Sequence, residues 1–243
     1  MQIFEPIIAR LLNFEPIQYI FGHTLWCGLD LLVTPATLIP RPETAELVER
    51  ISNFKSPFKV LDVGTGSGCI AIALKKAHPE WQVTGIDISP EAIDVARENA
   101  RRNKVDVRFE VADIFDSNGE NPKFEVLNSK YDIVVSNPPY ICEKEKKEMR
   151  ANVLNFEPSS ALFVPDDDPL KFYRRIAELQ ARQIQNSKQG EVQTSNPRFL
   201  FFEINEAYGP QLSAMLGGLG YTDIQIHKDI YDKPRIIEAR SVG

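Results

Sequence analysis

The sequence lacks long hydrophobic segments and an excess of basic charge. No stretch approaches the ~20 apolar residues of a membrane-spanning helix, and the N-terminal MQIFEPIIARLLNFEP lacks the basic start and cleavage site of a signal peptide. Lys and Arg number 28 against 34 Asp and Glu, which gives a formal net charge of −6. This balance argues against a large nonspecific nucleic-acid surface, although it leaves room for a small basic patch. We expect a soluble, cytoplasmic protein with no membrane partner and no direct nucleic-acid binding.

Cysteine is also scarce. Cys27, Cys69 and Cys142 lie far apart and form no CxxC motif or Cys/His cluster. We therefore expect reduced thiols, without disulfides, structural zinc or any other metal site.

The chain has 243 residues, of which 43% are hydrophobic. This is enough for one large domain with a packed core, or one domain with a small appendage. Strand patterns alternate with helix patterns from residue 59 onward, which predicts a parallel sheet covered by helices on both faces. The last two strands have no helix between them and predict an antiparallel hairpin at one edge. The predicted strands are 59–63, 82–87, 105–111, 131–135, 198–204, 222–227 and 235–239.

Several segments fall outside these βα units. Residues 1–13 predict a short amphipathic helix, and 19–33 a hairpin that turns at Cys27-Gly28. The acidic run 166–168 before Pro169 predicts the start of a helix. Residues 185–197 are polar and without apolar periodicity, which predicts a mobile surface loop.

A glycine-rich turn follows the first of these strands and opens a helix, with the sequence Asp62-Val63-Gly64-Thr65-Gly66-Ser67-Gly68. Glycines here allow a sharp turn and the close approach of a ligand. The dinucleotide fingerprint fails because its third glycine position is Cys69. A phosphate loop fails because no lysine is present. The remaining pattern, D-x-G-x-G-x-G, resembles the first motif of Rossmann-like S-adenosylmethionine-dependent methyltransferases.

Two acids stand at the ends of the next strands. Asp87 ends the second strand about twenty residues on, where a carboxylate can accept both ribose hydroxyls of a nucleoside. Asp113-Ile114 ends the third strand, where such methyltransferases commonly hold the adenine. The alternative is an ordinary βα turn with a helix-capping acid. The coincidence of loop, acid and third-strand Asp favours the cofactor site.

The fourth strand ends in Asn137-Pro138-Pro139-Tyr140. A planar amine is a poor nucleophile, because its lone pair is delocalised, and it needs two acceptors that aim this pair at the sulfonium methyl. The Asn137 side-chain oxygen and the Pro138 carbonyl can be those acceptors, and Tyr140 can lie flat against the planar group. The alternative is a strand stopped by prolines. The position one strand beyond a cofactor loop favours an amine clamp.

Motifs along the chain resemble those of the HemK/PrmC family. These enzymes methylate the GGQ glutamine of class I peptide chain release factors. The resemblance covers about residues 16–239. The IPRPET motif separates this family from other methyltransferases better than NPPY does, because amine-directed DNA methyltransferases generally lack IPRPET. The segments that carry the resemblance are QYIFG (18–22), TPATLIPRPET (34–44), DVGTGSG (62–68), SNPPYI (136–141) and FEP (156–158).

The resemblance implies a class I methyltransferase with a mostly parallel seven-stranded sheet that converts S-adenosyl-L-methionine to S-adenosyl-L-homocysteine. Asn137, Pro138 and Tyr140 are the implied catalytic residues. Position 114 is often a larger aromatic residue in the family, so Ile114 would cover the adenine without stacking. The implied substrate contacts are Asn137, Pro138, Pro139 and Tyr140. The implied cofactor contacts are Gly64, Thr65, Gly66, Ser67, Gly68, Asp87, Asp113, Ile114 and Asn137.

The chain departs from the family at its N-terminus. Members usually carry a domain of several helices that grips the release factor, and residues 1–13 resemble only its last helix. We expect residues 1–40 to be the remnant of that domain plus a hairpin linker, and 41–243 to be the catalytic domain. Weakened docking of the release factor is expected.

Some roles stay open at the level of sequence. Arg41 and Glu43 either form an ion pair that closes the pocket or cap the helix that begins at Glu43. Glu203 is expected to be hydrogen-bonded structure. Rival functions are an amine methyltransferase of nucleic acid (adenine or rRNA guanine) and a noncatalytic cofactor-binding module. The acidic composition opposes the first, and the intact glycines, Asn137 and Tyr140 oppose the second.

Overall fold

The computed structural model describes residues 4–116, 126–127, 129–187 and 198–241, and only the backbone of 183–187. Its N-terminal part has four elements. They are α1 (Phe4–Leu12), α2 (Ile17–Phe21), β1 (His23–Trp26) and β2 (Leu29–Leu32).

The predicted hairpin at 19–33 is correct in its turn and wrong at its start. Cys27 and Gly28 both have positive φ, 49° and 70°, and join β1 to β2. Residues 19–21 lie instead in α2, because the Tyr19 ring packs in a small buried cluster. There its hydroxyl donates to the Thr37 carbonyl over 2.6 Å.

Alternating helices and strands make up the rest of the described chain, with short 3-10 turns at Glu143–Glu148, Ser159–Ala161 and Glu206–Tyr208. The helices are α3 (Thr44–Ser52), α4 (Cys69–Ala77), α5 (Pro90–Asn103), α6 (Ala151–Leu154), α7 (Lys171–Ser187) and α8 (Gly209–Gly218). The strands are β3 (Lys59–Val63), β4 (Gln82–Asp87), β5 (Arg108–Val111), β6 (Ile133–Ser136), β7 (Ile141–Cys142), β8 (Phe163–Val164), β9 (Arg198–Glu203), β10 (Tyr221–Lys228) and β11 (Pro234–Ser241).

Seven strands form the central sheet in the order β10-β11-β9-β6-β3-β4-β5. The five strands from β9 to β5 are parallel, and β11 and β10 are antiparallel to their neighbours. The chain runs outward from β3 to β4 and β5, then returns to the other side of β3 with β6. This reversal opens a crevice beyond the carboxyl ends of β3 and β6. The predicted mostly parallel seven-stranded sheet with its antiparallel edge hairpin is confirmed.

Two apolar layers cover the sheet. Successive side chains of a strand point to opposite faces. In β9, Phe201 packs with one buried cluster, while Leu200 and Phe202 pack with the other. Burial on both faces explains why this strand reads as a continuous apolar run.

Helix boundaries show local chemistry. Ser89 caps α5 as predicted, since its Oγ accepts from the Ala92 N–H over 3.1 Å. The helix predicted at the acidic run begins later, at Lys171. Asp168 instead accepts two hydrogen bonds of 2.9 Å from Arg174.

Other predicted boundaries shift as well. The strand predicted at 105–111 is only Arg108–Val111, and that at 131–135 runs Ile133–Ser136. Residues 185–187 continue α7 rather than starting a loop. The remaining loop prediction, 188–197, lies outside the described residues. Among the helices that the structure describes, none is both long and apolar enough to cross a membrane.

Candidate active site

A pocket of about 170 Å³ opens at the carboxyl ends of β3 to β6. Predicted site residues that line it are Gly64, Thr65, Gly66, Ser67, Asp87, Asp113, Ile114, Asn137, Pro138 and Pro139. Two predicted residues, Gly68 and Tyr140, do not line it. Additional walls come from segments 36–41 and 158–161, and from Thr44, Phe115 and Phe172. The sheet edge therefore gathers most of the predicted constellation in one cavity.

The glycine loop leaves its pocket side open. Gly64 and Gly66 have φ of 69° and 55°, and a Cβ added to either would meet no atom within 4 Å. Gly68 serves packing instead. A Cβ there would lie 3.0–3.1 Å from side chains of α4, α5 and β5. The first two glycines thus face ligand space, and the third lets α4 pack closely.

Asp62 anchors this loop from below. Its Oδ2 accepts from the Thr65 hydroxyl over 2.6 Å and from the Ala71 N–H over 3.3 Å. The carboxyl is fully buried, and burial raises its pKa to about 7. Its bonds join the loop to the first turn of α4.

Asp87 joins the loop to the start of α5. Its Oδ2 accepts from the Gly66 N–H over 2.9 Å, and its Oδ1 accepts from the Ser89 N–H over 3.0 Å. Burial raises the pKa of this carboxyl, and the backbone donors oppose the rise. Each oxygen retains a further lone pair at the pocket wall, so the pair can accept from vicinal hydroxyls.

Sequence reasoning missed an aromatic wall beside Ile114. Phe115 and Phe172 line the pocket, with ring centroids 5.5 Å apart and planes at 72°. Phe172 lies on α7, far along the chain, so no local signal pointed to it. Asp113 turns the chain here, since its Oδ1 accepts from the Phe115 N–H over 2.8 Å. Together these groups form an apolar slot that can hold a planar base.

A chain of hydrogen bonds lies behind the NPPY turn. Asn137 Nδ2 donates to Thr44 Oγ1 over 3.3 Å, and this hydroxyl donates to Glu203 Oε2 over 2.6 Å. Tyr140 donates from its hydroxyl to Glu203 Oε1 over 3.1 Å. Burial raises the pKa of Tyr140 well above its ordinary value, so the phenol stays protonated. The expectation that Glu203 is hydrogen-bonded fits these contacts, and no role for Thr44 was predicted.

Arg41 pairs with a different acid from the one predicted. Its Nη2 lies 2.7 Å from Glu157 Oε1, and Glu157 Oε2 accepts from the Ile39 N–H over 3.1 Å. Glu43 makes no side-chain cap on α3. The alternative of an Arg41–Glu43 ion pair is therefore wrong, because the buried Glu157 is the better-placed partner. Glu43 does stand at the N-cap position of α3, which begins at Thr44, but without a side-chain hydrogen bond. The Arg41–Glu157 pair fixes the wall formed by residues 36–41.

Within the described residues, no three His, Cys, Asp or Glu side chains come together in a group that could hold a metal ion.

Comparison with known proteins defines the class of this chain. The family model described as a methyltransferase domain matches residues 54–193. A methyltransferase structure from Pyrococcus furiosus aligns over 98% of this chain and 100% of its own, at 18% identity and a TM-score of 0.58. That likeness concerns the fold alone. Fold and family model together define a class I S-adenosylmethionine-dependent methyltransferase.

Closer sequence relatives identify the family. A release factor glutamine methyltransferase from Bacteroides thetaiotaomicron is 47% identical over 236 residues, which cover 97% of this chain and 79% of that protein. Another, from Flavobacterium psychrophilum, is 43% identical over 241 residues, 96% of this chain and 78% of that protein. The chain belongs to the release factor glutamine methyltransferase family. The predicted HemK/PrmC resemblance is confirmed.

Proposed function

We propose that this protein transfers the methyl group of S-adenosyl-L-methionine to the side-chain amide nitrogen of the GGQ glutamine in class I peptide chain release factors. The sequence relatives support the choice of substrate. The observation that carries the proposal is the Asn137 amide, held at the pocket wall through its Nδ2. Its Oδ1 is left to accept from a substrate amide. Residues 41–243 are proposed to carry this catalysis.

The pocket fits the proposed cofactor. Gly64 and Gly66 present open backbone where a Cβ would intrude on a ligand, and Asp87 supplies acceptors for two hydroxyls. The apolar slot formed by Ile114, Phe115 and Phe172 suits an adenine. When bound, S-adenosyl-L-methionine supplies an electrophilic methyl group. The remaining proposed contacts are Thr65, Ser67, Asp113 and Asn137, whereas Gly68 contributes only by letting α4 pack closely.

The protein's own groups position the nucleophile. Asn137 Oδ1 and the Pro138 carbonyl accept from the two amide hydrogens of the substrate glutamine. These bonds favour a pyramidal nitrogen and reduce delocalisation of its lone pair. Pro139 and Tyr140 shape the substrate side of the clamp. Catalysis then rests on orientation, which can contribute several kcal/mol without a strong base.

A labelling experiment tests the substrate. The chain is incubated with methyl-labelled S-adenosylmethionine and a class I release factor, a release factor with the GGQ glutamine replaced, ribosomal RNA, or DNA. We expect label only in the unmodified release factor. Label confined to nucleic acid would establish the rival amine methyltransferase. Cofactor binding with no label anywhere would favour a binding module.

Asn137→Ala tests the clamp. We expect kcat to fall about 100-fold or more, the cost typical of one lost preorganised hydrogen-bonding group. Cofactor affinity, measured by calorimetry, should change little, because the glycine loop and Asp87 remain. Asn53→Ala, at an exposed residue outside the pocket at the C-terminal end of α3, is the matched control. Wild-type turnover in Asn137→Ala would refute the assigned role.

A further inference from the structure

Glu203 lies at the end of β9 with only 1% of its surface exposed. Both of its oxygens accept hydrogen bonds, one from the Thr44 hydroxyl and one from the Tyr140 hydroxyl. β9 is a central strand and α3 begins at Thr44. The carboxylate therefore joins two hydroxyl groups to a rigid part of the sheet, and one of these leads to Asn137.

The hydrogen-bond directions along this chain follow from elementary chemistry. Burial raises the pKa of Glu203, while the Thr44 and Tyr140 hydroxyls and Arg235 oppose the rise. Both hydroxyls donate to this carboxyl, so the single hydroxyl proton of Thr44 is committed to Glu203. Thr44 Oγ1 can then only accept from its other side. The Asn137 group that faces it must be the NH2 end, which donates over 3.3 Å. The opposite end of the amide, Oδ1, is thereby directed away from Thr44.

The orientation matters for the proposed chemistry. An Asn side chain turned by 180° would present its NH2 group to the substrate NH2 group. Two donors would face each other, and the substrate nitrogen would lose an acceptor. Nothing in the covalent structure of Asn137 selects one orientation, so an outside group must do it.

We propose that Thr44 is a positioning residue that fixes the orientation of the Asn137 amide through its hydrogen bond to Glu203. The proposal rests on the proposed function for its catalytic meaning, but the orientation itself is set by hydrogen bonds within the chain. Glu203 sets the direction of the Thr44 proton. It also holds Tyr140, so one buried carboxylate orders both polar ends of the NPPY turn.

Three variants test this bridge by kinetics. Thr44→Val keeps the shape and removes both hydrogen bonds, whereas Thr44→Ser keeps the hydroxyl. We expect Thr44→Val to lower kcat by roughly 30–100-fold, as a misoriented reacting group does, with KM for the release factor within about threefold of wild type. In Thr44→Ser, kcat should return most of the way to the wild-type value. Thr222→Val, on an exposed edge strand, is the control.

Two kinetic outcomes would overturn the proposal. One is a wild-type kcat in Thr44→Val, or a change confined to KM. The other is a Thr44→Ser enzyme as slow as Thr44→Val, which would assign the loss to packing. Cofactor affinity and melting temperature confirm that each variant is folded.

A spectroscopic readout separates this inference from the proposed function. The side-chain amide signal of Asn137, assigned by its absence in Asn137→Ala, is followed by 1H–15N NMR without substrate. We expect Thr44→Val to shift it towards the values of an exposed amide such as Asn13, and Thr44→Ser to keep it near wild type. An unchanged signal in Thr44→Val would refute the bridge. If the wild-type protein fails to methylate release factors but the Asn137 signal shifts in Thr44→Val as expected, only the proposed function is refuted.

Discussion

Asp62 shows how a single buried acid can govern stability at the glycine loop. Its Oδ2 carries two hydrogen bonds, and its Oδ1 is buried without a hydrogen-bond partner among the described residues. The ordinary pKa of this carboxyl is 3.8, and burial raises it to about 7. The folded protein therefore retains a proton that the unfolded chain releases between pH 4 and pH 7.

Asp62→Asn should consequently gain stability relative to wild type as pH rises. A raised folded pKa contributes stability that is complete below the unfolded pKa and lost as pH rises through about 7. The asparagine does not titrate. We expect the difference in unfolding free energy, variant minus wild type, to rise by on the order of 2 kcal/mol between pH 5 and pH 8. Denaturant titrations at both pH values measure it, with the exposed Asp94→Asn as control. A difference independent of pH would contradict the shift.

At the residue scale, sequence reasoning located side chains whose place in the site follows from their position in a strand. Asp87 is the last residue of β4 and Asn137 directly follows β6, and parallel strands bring their carboxyl ends together. Sequence reasoning did not identify the partners that fix these two side chains. The hydroxyl of Thr44 and the carboxylate of Glu203 meet across 159 positions of sequence, and nothing local records such a contact.

At the element scale, the close packing of β4 depends on Gly85. A Cβ at this position would lie 2.6–2.7 Å from the Phe109 ring and from Thr65 Oγ1. The second contact reaches the glycine loop. The strand pattern QVTGID does not reveal this role, because a glycine inside a strand also occurs where nothing crowds it.

Gly85→Ala should therefore destabilise both the strand and the loop. We expect a loss of about 1–3 kcal/mol in unfolding free energy, the usual cost of overpacking, and weaker binding of S-adenosylmethionine by calorimetry. Gly218→Ala is the matched comparison, since it lies in α8 with no atom within 4 Å of an added Cβ. That change should stabilise by roughly 0.5–1 kcal/mol. Equal effects of both substitutions would be evidence against the crowding at Gly85.

Element prediction succeeded where most of a strand is buried. The strands at 59–63 and 82–87 are found with the predicted bounds, because apolar runs end there at clear turn signals. Short elements were missed. The pair β7–β8 has two residues in each strand, too few for any periodicity. Residues 19–21 form a helix because tertiary burial of Tyr19 outweighs their β propensity.

At the scale of the whole molecule, distant segments close the pocket. The Arg41–Glu157 pair spans 116 positions and ties the wall at 36–41 to the loop before β8. The order of the parallel strands could be anticipated from βα repeats and the glycine loop. The Arg41–Glu157 pair could not be anticipated, because the sequence offers several acids as partners for Arg41.

Glu157→Gln should loosen this wall. The side chain is 1% exposed and accepts from both Arg41 and the Ile39 N–H, so we expect a loss of about 1.5–3 kcal/mol in unfolding free energy. Denaturant titration measures the loss, and hydrogen exchange should show faster exchange of the Ile39 amide. Glu206→Gln removes an exposed ion pair with Lys233 and serves as control, with no measurable change expected. An unchanged unfolding free energy in Glu157→Gln would contradict this tie.

The place of β9 in the sheet has a consequence for the protein during its synthesis. This strand lies between β6 and β11, although it follows β6 by more than sixty positions in the chain. On the ribosome, β6 remains a bare edge until residues 198–203 emerge, and bare edges invite misassociation. Glu203 emerges with the same strand. A nascent chain therefore contains its glycine loop long before Glu203 can hold Thr44 and Tyr140 by hydrogen bonds.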